Sequence, residues 1–211
     1  MPDTKHLIFV NYRGTDEIWA TEYVHARMTE AFGADVVFKA GNSLRPGEVY
    51  APILEEKAAH CPVMLVCMGP AWLGAPDASG TRRLDSPDDW VRKEIRLALR
   101  AGNLVVPLLI GNHGEVSVPD ADALPPDLRD LVTHQARRLA PGGGLDATMP
   151  ALIEELAEAV PELGACRTTR LREKADQRPA SPNQDAYSTV FNIDRVRGDV
   201  VGRDKNVGRQ P

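Results

Sequence analysis

Leu7-Ile8-Phe9-Val10, followed at once by Asn11-Tyr12-Arg13-Gly14-Thr15-Asp16, decides how the rest of the chain is read. Four apolar residues in a row, without polar alternation, describe a strand covered on both faces. Such a strand needs helices on either side of its sheet. The next segment supplies one: Asp16 to Phe32 reads as a helix, with Trp19, Tyr23 and Ala26 near one face. Asp35-Val36-Val37-Phe38 is a short second strand. A loop with Gly41, Pro46 and Gly47 follows, and Glu48 to His60 restarts the helical period through Val49, Ile53 and Leu54. Val63 to Met68, the most apolar segment, is the third strand.

Beyond a Gly/Pro/Asp-rich loop (Gly69 to Pro87), Asp88 is expected to cap a helix that runs to about Ala101. Val91, Ile95, Ala98 and Leu99 form its buried stripe. Leu104 to Ile110 is a fourth strand, and Pro107 within it argues for an edge position or a strand end. A short helix near Asp127 to Thr133, a weak strand near Ala136 to Leu139 and an amphipathic helix from Met149 to Val160, stopped by Pro161, complete the pattern. Repeated strand–helix alternation predicts an α/β fold: a flavodoxin-like five-stranded parallel sheet, order 2-1-3-4-5, with helices on both faces and a flexible C-terminal tail. Residues 1–162 are read as the domain, 163–187 as a disordered linker, and 188–211 as a short β-prone motif carrying Val190, Ile193, Val196, Val200, Val201 and Val207.

Composition narrows the function classes. The 211 residues are 43% hydrophobic, enough for a proper core. Residues 1–164 carry 15 Lys and Arg against 24 Asp and Glu, while residues 165–211 carry 10 against 6. A domain this acidic attracts nucleic acid poorly. The longest apolar run, Pro62 to Met68, is too short to span a bilayer, and no signal peptide is read at the start. Cys61, Cys67 and Cys166 have neither disulfide nor metal-ligand spacing and read as inert thiols of a reducing cytoplasm. The five histidines are scattered, no phosphate-binding glycine fingerprint is present, and Ser and Cys lack a nucleophile-elbow context, so no metal site or catalytic triad is expected.

In a doubly wound sheet, ligands bind beyond the carboxyl ends of the strands where strand order reverses, here between strands one and three. The loops after Val10 and between Gly69 and Asp88 feed that crevice. Trp90 and Glu94 are four apart and share a helix face at the border of the buried stripe. A partly desolvated carboxylate beside an indole can hold a sugar hydroxyl and stabilise positive charge at an anomeric carbon. The same spacing equally describes a helix-flank Trp and a Glu paired with Lys93 or an arginine. Tyr12 and Arg13 can stack a base and bind a phosphate, or simply finish a strand. Ser43-Leu44-Arg45-Pro46-Gly47 can bend over a ligand or press on another subunit.

Ile8-Phe9-Val10-Asn11-Tyr12-Arg13-Gly14 resembles the first sequence box of TIR domains, with Asn11 where Ser is commoner. Leu44-Arg45-Pro46-Gly47 falls where that family has its BB loop. Asp89-Trp90-Val91-Arg92-Lys93-Glu94-Ile95, followed by Leu104-Val-Val-Pro107, resembles the helix and fourth strand of NAD+-consuming members. The resemblance covers about residues 5–160 and is closest to bacterial TIR proteins. It implies Glu94 as the catalytic glutamate, Trp90 as its aromatic partner, and Tyr12, Arg13 and Arg45 as binding residues. NAD+ would be substrate rather than cofactor, cleaved to ADP-ribose or a cyclic isomer, with activation by self-assembly through TIR–TIR contacts in antiphage defence. A non-catalytic TIR adaptor is the alternative. The 188–211 segment resembles short amyloid-like signalling motifs and would link the domain to an upstream sensor.

Overall fold

The computed structural model describes residues 6–40, 50–140 and 143–176. Its strands are β1 (Ile8–Asn11), β2 (Val37–Lys39), β3 (Val63–Met68), β4 (Leu104–Ile110) and β5 (Arg137–Leu139). They form one sheet in the order β2-β1-β3-β4-β5, parallel throughout, as expected. The α-helices are α1 (Ile18–Phe32), α2 (Tyr50–His60), α3 (Trp90–Ala101), α4 (Gly143–Ala159) and α5 (Pro161–Asp176). No helix among the described residues is long and apolar enough to cross a membrane.

The pleat sorts the strand residues into two cores. Ile8, Val10, Val63, Leu65, Cys67, Leu108 and Ile110 face one way, against Ala20, Val24, Met28 and Phe32 of α1 and Leu152, Leu156 and Leu163 of α4 and α5. Phe9, Met64, Val66, Met68, Val105 and Leu109 face the other way, against Leu54 and Ala58 of α2 and Val91, Ile95 and Ala98 of α3. Continuous apolar runs in the central strands follow directly from this two-sided burial. Cys61 and Cys67 are buried free thiols, and burial pushes both up to about 12.

Several boundaries differ from the expected ones. Helix α1 starts at Ile18, and its buried face is Ala20, Thr21, Val24, Met28 and Phe32, while Trp19 is 47% exposed. Asp16 does not enter the helix because its carboxylate accepts hydrogen bonds from the N–H groups of Gly69 (2.9 Å) and Ala71 (3.1 Å). That clamp ties the loop after β1 to the loop after β3. Gly69 is required there: a Cβ would stand 2.5 Å from Asp16 Oδ1.

Pro107 lies in an interior strand, not at the sheet's edge. Its position is tolerated because β5 pairs only from Leu108 to Ile110, so β4 has an open side at Pro107. The segment expected as a short helix near Asp127 is a 3-10 helix, Pro126–Thr133. Helix α4 begins at Gly143, upstream of the expected Met149. Pro161 does end that helix, but it also opens another: α5 occupies the first part of the span expected to be a disordered linker. Proline is well suited to a first helical turn, where its missing N–H has no partner to lose. Arg45, the remainder of the linker and the 188–211 motif lie outside the described residues.

Candidate functional site

The site is assembled by β1, the loop that follows it, and the start of α3. The strand pleat that sends Phe9 toward α3 sends Asn11 the same way. Asn11 is fully buried, and its Nδ2 donates to Glu94 Oε2 at 2.6 Å and to the Val91 carbonyl at 3.4 Å. Its Oδ1 has no hydrogen-bond partner among the described residues. An amide can serve either ionisation state of the carboxyl, donating to the charged form or, turned over, accepting from the neutral one.

Glu94 sits deeper than the stripe border expected for it. With Val91, Ile95 and Ala98 it occupies the buried face of α3 itself, at 6% exposure. A carboxylate in an apolar stripe is a feature that packing alone does not call for. Burial pushes the Glu94 carboxyl up to about 8, opposed by the Asn11 hydrogen bond and assisted by the negative charge of Asp89.

A cavity of about 240 Å³ opens onto this carboxyl, walled by Val10, Tyr12, Arg13, Arg83, Trp90 and Glu94 among others. Trp90 is half-buried, with Lys93 Nζ 5.2 Å from the centre of its ring, and Lys93 also pairs with Asp88 at 2.9 Å. Tyr12 is half-buried too. Its hydroxyl donates to the Ala40 carbonyl at 3.0 Å, and Lys39 Nζ lies 5.0 Å from its ring centre. Those contacts fix one cavity wall to the end of β2.

Arg13 is 2% exposed, and its two terminal nitrogens reach Asp89 in a bidentate pair at 3.0 and 3.2 Å. Asp89, rather than the expected Asp88, is the N-cap of α3: its Oδ1 accepts from the Arg92 N–H at 3.1 Å. Arg83 Nε meets the same carboxylate at 3.3 Å. Burial works against the charge on Asp89, but hydrogen bonds from Arg13 and the Arg92 N–H, with the charges of Arg13 and Arg83, hold its carboxyl below the ordinary range.

Four of the five residues singled out from sequence, Tyr12, Arg13, Trp90 and Glu94, therefore line one cavity. Sequence reasoning missed three others. Asn11 counted only as a tolerated departure, although strand parity points it at α3. Asp89 was hidden by its tandem neighbour Asp88, because either aspartate satisfies a capping rule. Arg83 lies in a long loop with no periodicity to place it. The family model described as TIR domain matches residues 8–141 of the chain. No curated protein matches it.

Proposed function

The chain belongs to the TIR-domain family, and from that premise we propose that it is an NAD+ nucleosidase that breaks the nicotinamide–ribose bond. The observation that carries the reading is the buried Glu94 carboxyl opening onto a cavity beside Trp90, Tyr12 and two arginines. The nicotinamide ring is cationic while bonded to ribose and leaves with the bonding pair as a neutral base, so no strong general acid is needed. The required help is electrostatic: a carboxylate close to the ribose carbon as positive charge develops there.

Glu94 is suited to that task in a specific way. Empty, its carboxyl is driven toward neutrality by burial. A cationic nicotinamide riboside entering the cavity favours the charged form, so ionisation and substrate binding reinforce each other. The carboxylate then accepts hydrogen bonds from ribose hydroxyls while Asn11 Nδ2 holds its other edge. Trp90 and Tyr12 give the rings an aromatic wall. Water adds to the anomeric carbon and passes a proton to solvent to give ADP-ribose, or a nucleophilic atom of the same nucleotide adds there, releasing any proton it carries to solvent, to give a cyclic isomer.

Activation by TIR–TIR self-assembly belongs to the same proposal, with Arg45 contributing to the ligand or to a neighbouring subunit. The adjacent exposed side chains Ile18 (50%) and Trp19 (47%) on α1 offer apolar surface for such contacts. The setting proposed is the bacterial cytoplasm, in antiphage defence, with an upstream sensor engaging residues 188–211. Chromatography of NAD+ incubated with wild type and Glu94→Ala, at several protein concentrations, tests the reading. Loss with wild type alone, steepening with concentration, is expected. No loss, even with the protein clustered artificially, would replace it with the adaptor reading.

A further inference from the structure

We infer that Arg83 is the diphosphate-binding residue of this cavity, held in place by the buried Arg13–Asp89 pair; the inference rests on the nucleotide reading above. A dinucleotide brings a doubly charged diphosphate to an acidic domain, so the site needs a cation that the protein has not already neutralised. Among the described lining residues, Arg13 and Arg83 are the two with cationic side chains. Sequence reasoning favours Arg13 for this role, but the geometry favours the other.

Both terminal nitrogens of Arg13 are engaged by Asp89, and the two side chains are each 2% exposed. Drawing Arg13 toward a phosphate would leave a buried carboxylate without its partner. Arg83 differs on each count. Its side chain is 42% exposed, and only Nε meets Asp89, at 3.3 Å. No hydrogen bond from its terminal nitrogens is made to another described residue. Its backbone is anchored nonetheless: it opens the 3-10 helix Arg83–Asp85, and its N–H donates to the Ala75 carbonyl at 2.9 Å.

Charge balance points the same way. One carboxylate, Asp89, is shared by two guanidinium groups, so the Arg13–Asp89–Arg83 cluster carries one positive charge in surplus, while Glu94 in the same wall is reserved for the ribose. Neighbouring ions are matched locally: Arg82 with Asp85, Lys93 with Asp88, and Arg92 with Asp127. The surplus is therefore concentrated on the exposed member, Arg83, whose planar fork suits two phosphate oxygens. Asp89 orients it from behind, through Nε, while the terminal nitrogens remain available.

The test uses the full chain with two readouts. NAD+ turnover by Arg83→Gln should show KM raised roughly tenfold with kcat changed less than threefold, the signature of lost uniform binding. Calorimetric titration with ADP should show a similar loss of affinity, and the wild-type advantage should shrink as salt rises from 50 to about 300 mM. Arg83→Lys, which keeps the charge but not the fork, should fall between. A variant that turns over NAD+ with wild-type KM and binds ADP as wild type does would overturn the inference while leaving the nucleosidase reading intact. If wild type turns over no NAD+ even when clustered, that reading falls. The ADP titration then decides for Arg83: a tenfold difference upholds the diphosphate site, and equal affinities overturn it.

Discussion

Replacing Glu94 with Gln should make the fold more stable, and increasingly so as pH rises. The folded protein holds this carboxyl at about 8, against an ordinary value of 4.5. Between those values folded Glu94 keeps a proton that the unfolded chain has released. Stability therefore declines as pH rises through this window, and the full penalty is present above pH 8. At about 1.36 kcal/mol per pH unit the shift corresponds to roughly 5 kcal/mol as an upper figure. Water entering the cavity of about 240 Å³ lowers it, so a gain of about 2–4 kcal/mol for Glu94→Gln over wild type at pH 9 is expected. Gln keeps an oxygen for the Asn11 Nδ2 hydrogen bond and does not titrate. Urea unfolding of both proteins at pH 5, 7 and 9, followed by far-ultraviolet circular dichroism, measures the difference. Other titrating groups cancel in the comparison. A difference that is flat across that range to within about 0.5 kcal/mol would show that Glu94 is as well solvated folded as unfolded, and that burial does not poise its carboxyl for substrate.

Three further outcomes are expected. Asp89→Ala leaves Arg13 buried without its partner and removes the cap of α3, so thermal or urea unfolding should report a loss of about 3–5 kcal/mol. Asn11→Ala removes a hydrogen bond that favours the charged form of Glu94; if the carboxylate is the active form, kcat/KM for NAD+ should rise with pH toward about 8 in wild type, and that limb should move to higher pH in the variant. Identical pH profiles would remove Asn11 from the site's electrostatics. Gly69→Ala places a methyl 2.5 Å from Asp16 Oδ1 and should break the clamp between the two site loops, costing about 2 kcal/mol or more in an unfolding titration, whereas Gly14→Ala meets open space and should unfold as wild type does.

The sheet was readable because its central strands are buried on both faces, and continuous apolar runs such as Ile8 to Val10 and Val63 to Met68 have few other uses. The α1 face was harder: apolar residues stand on more than one side of that helix, and Trp19 points away from the core. Pro107 was misplaced because a proline rule applies to hydrogen bonds, not to whole strands, and the length of β5 decides which bonds of β4 exist. Proline at the start of α5 satisfies two opposite readings, a stop and a start. For the site, helical spacing put Trp90 and Glu94 on one face and the place after a strand marked Tyr12 and Arg13, but both patterns also fit purely structural roles, and it was the resemblance to TIR domains that singled these four out. Which arginine is internal and which is open depends on how the loop from Gly69 to Pro87 returns to α3. That path is set by tertiary contacts such as the Arg83 N–H to Ala75 carbonyl bond.

Asp89 has a consequence for anyone reading this protein through genetics. One carboxylate caps α3, anchors Arg13 and steadies Arg83. On the proposed nucleosidase reading, an Asp89 allele and a Glu94 allele should both score as loss of function in a cell, but through different main causes. The first should fail through scarcity, because a destabilised chain is cleared. The second should fail at full or even raised abundance. An immunoblot beside the phenotype separates them, and on the proposed nucleosidase reading Glu94→Gln, not any change at Asp89, is the allele to carry forward as the intact control expected to lack activity.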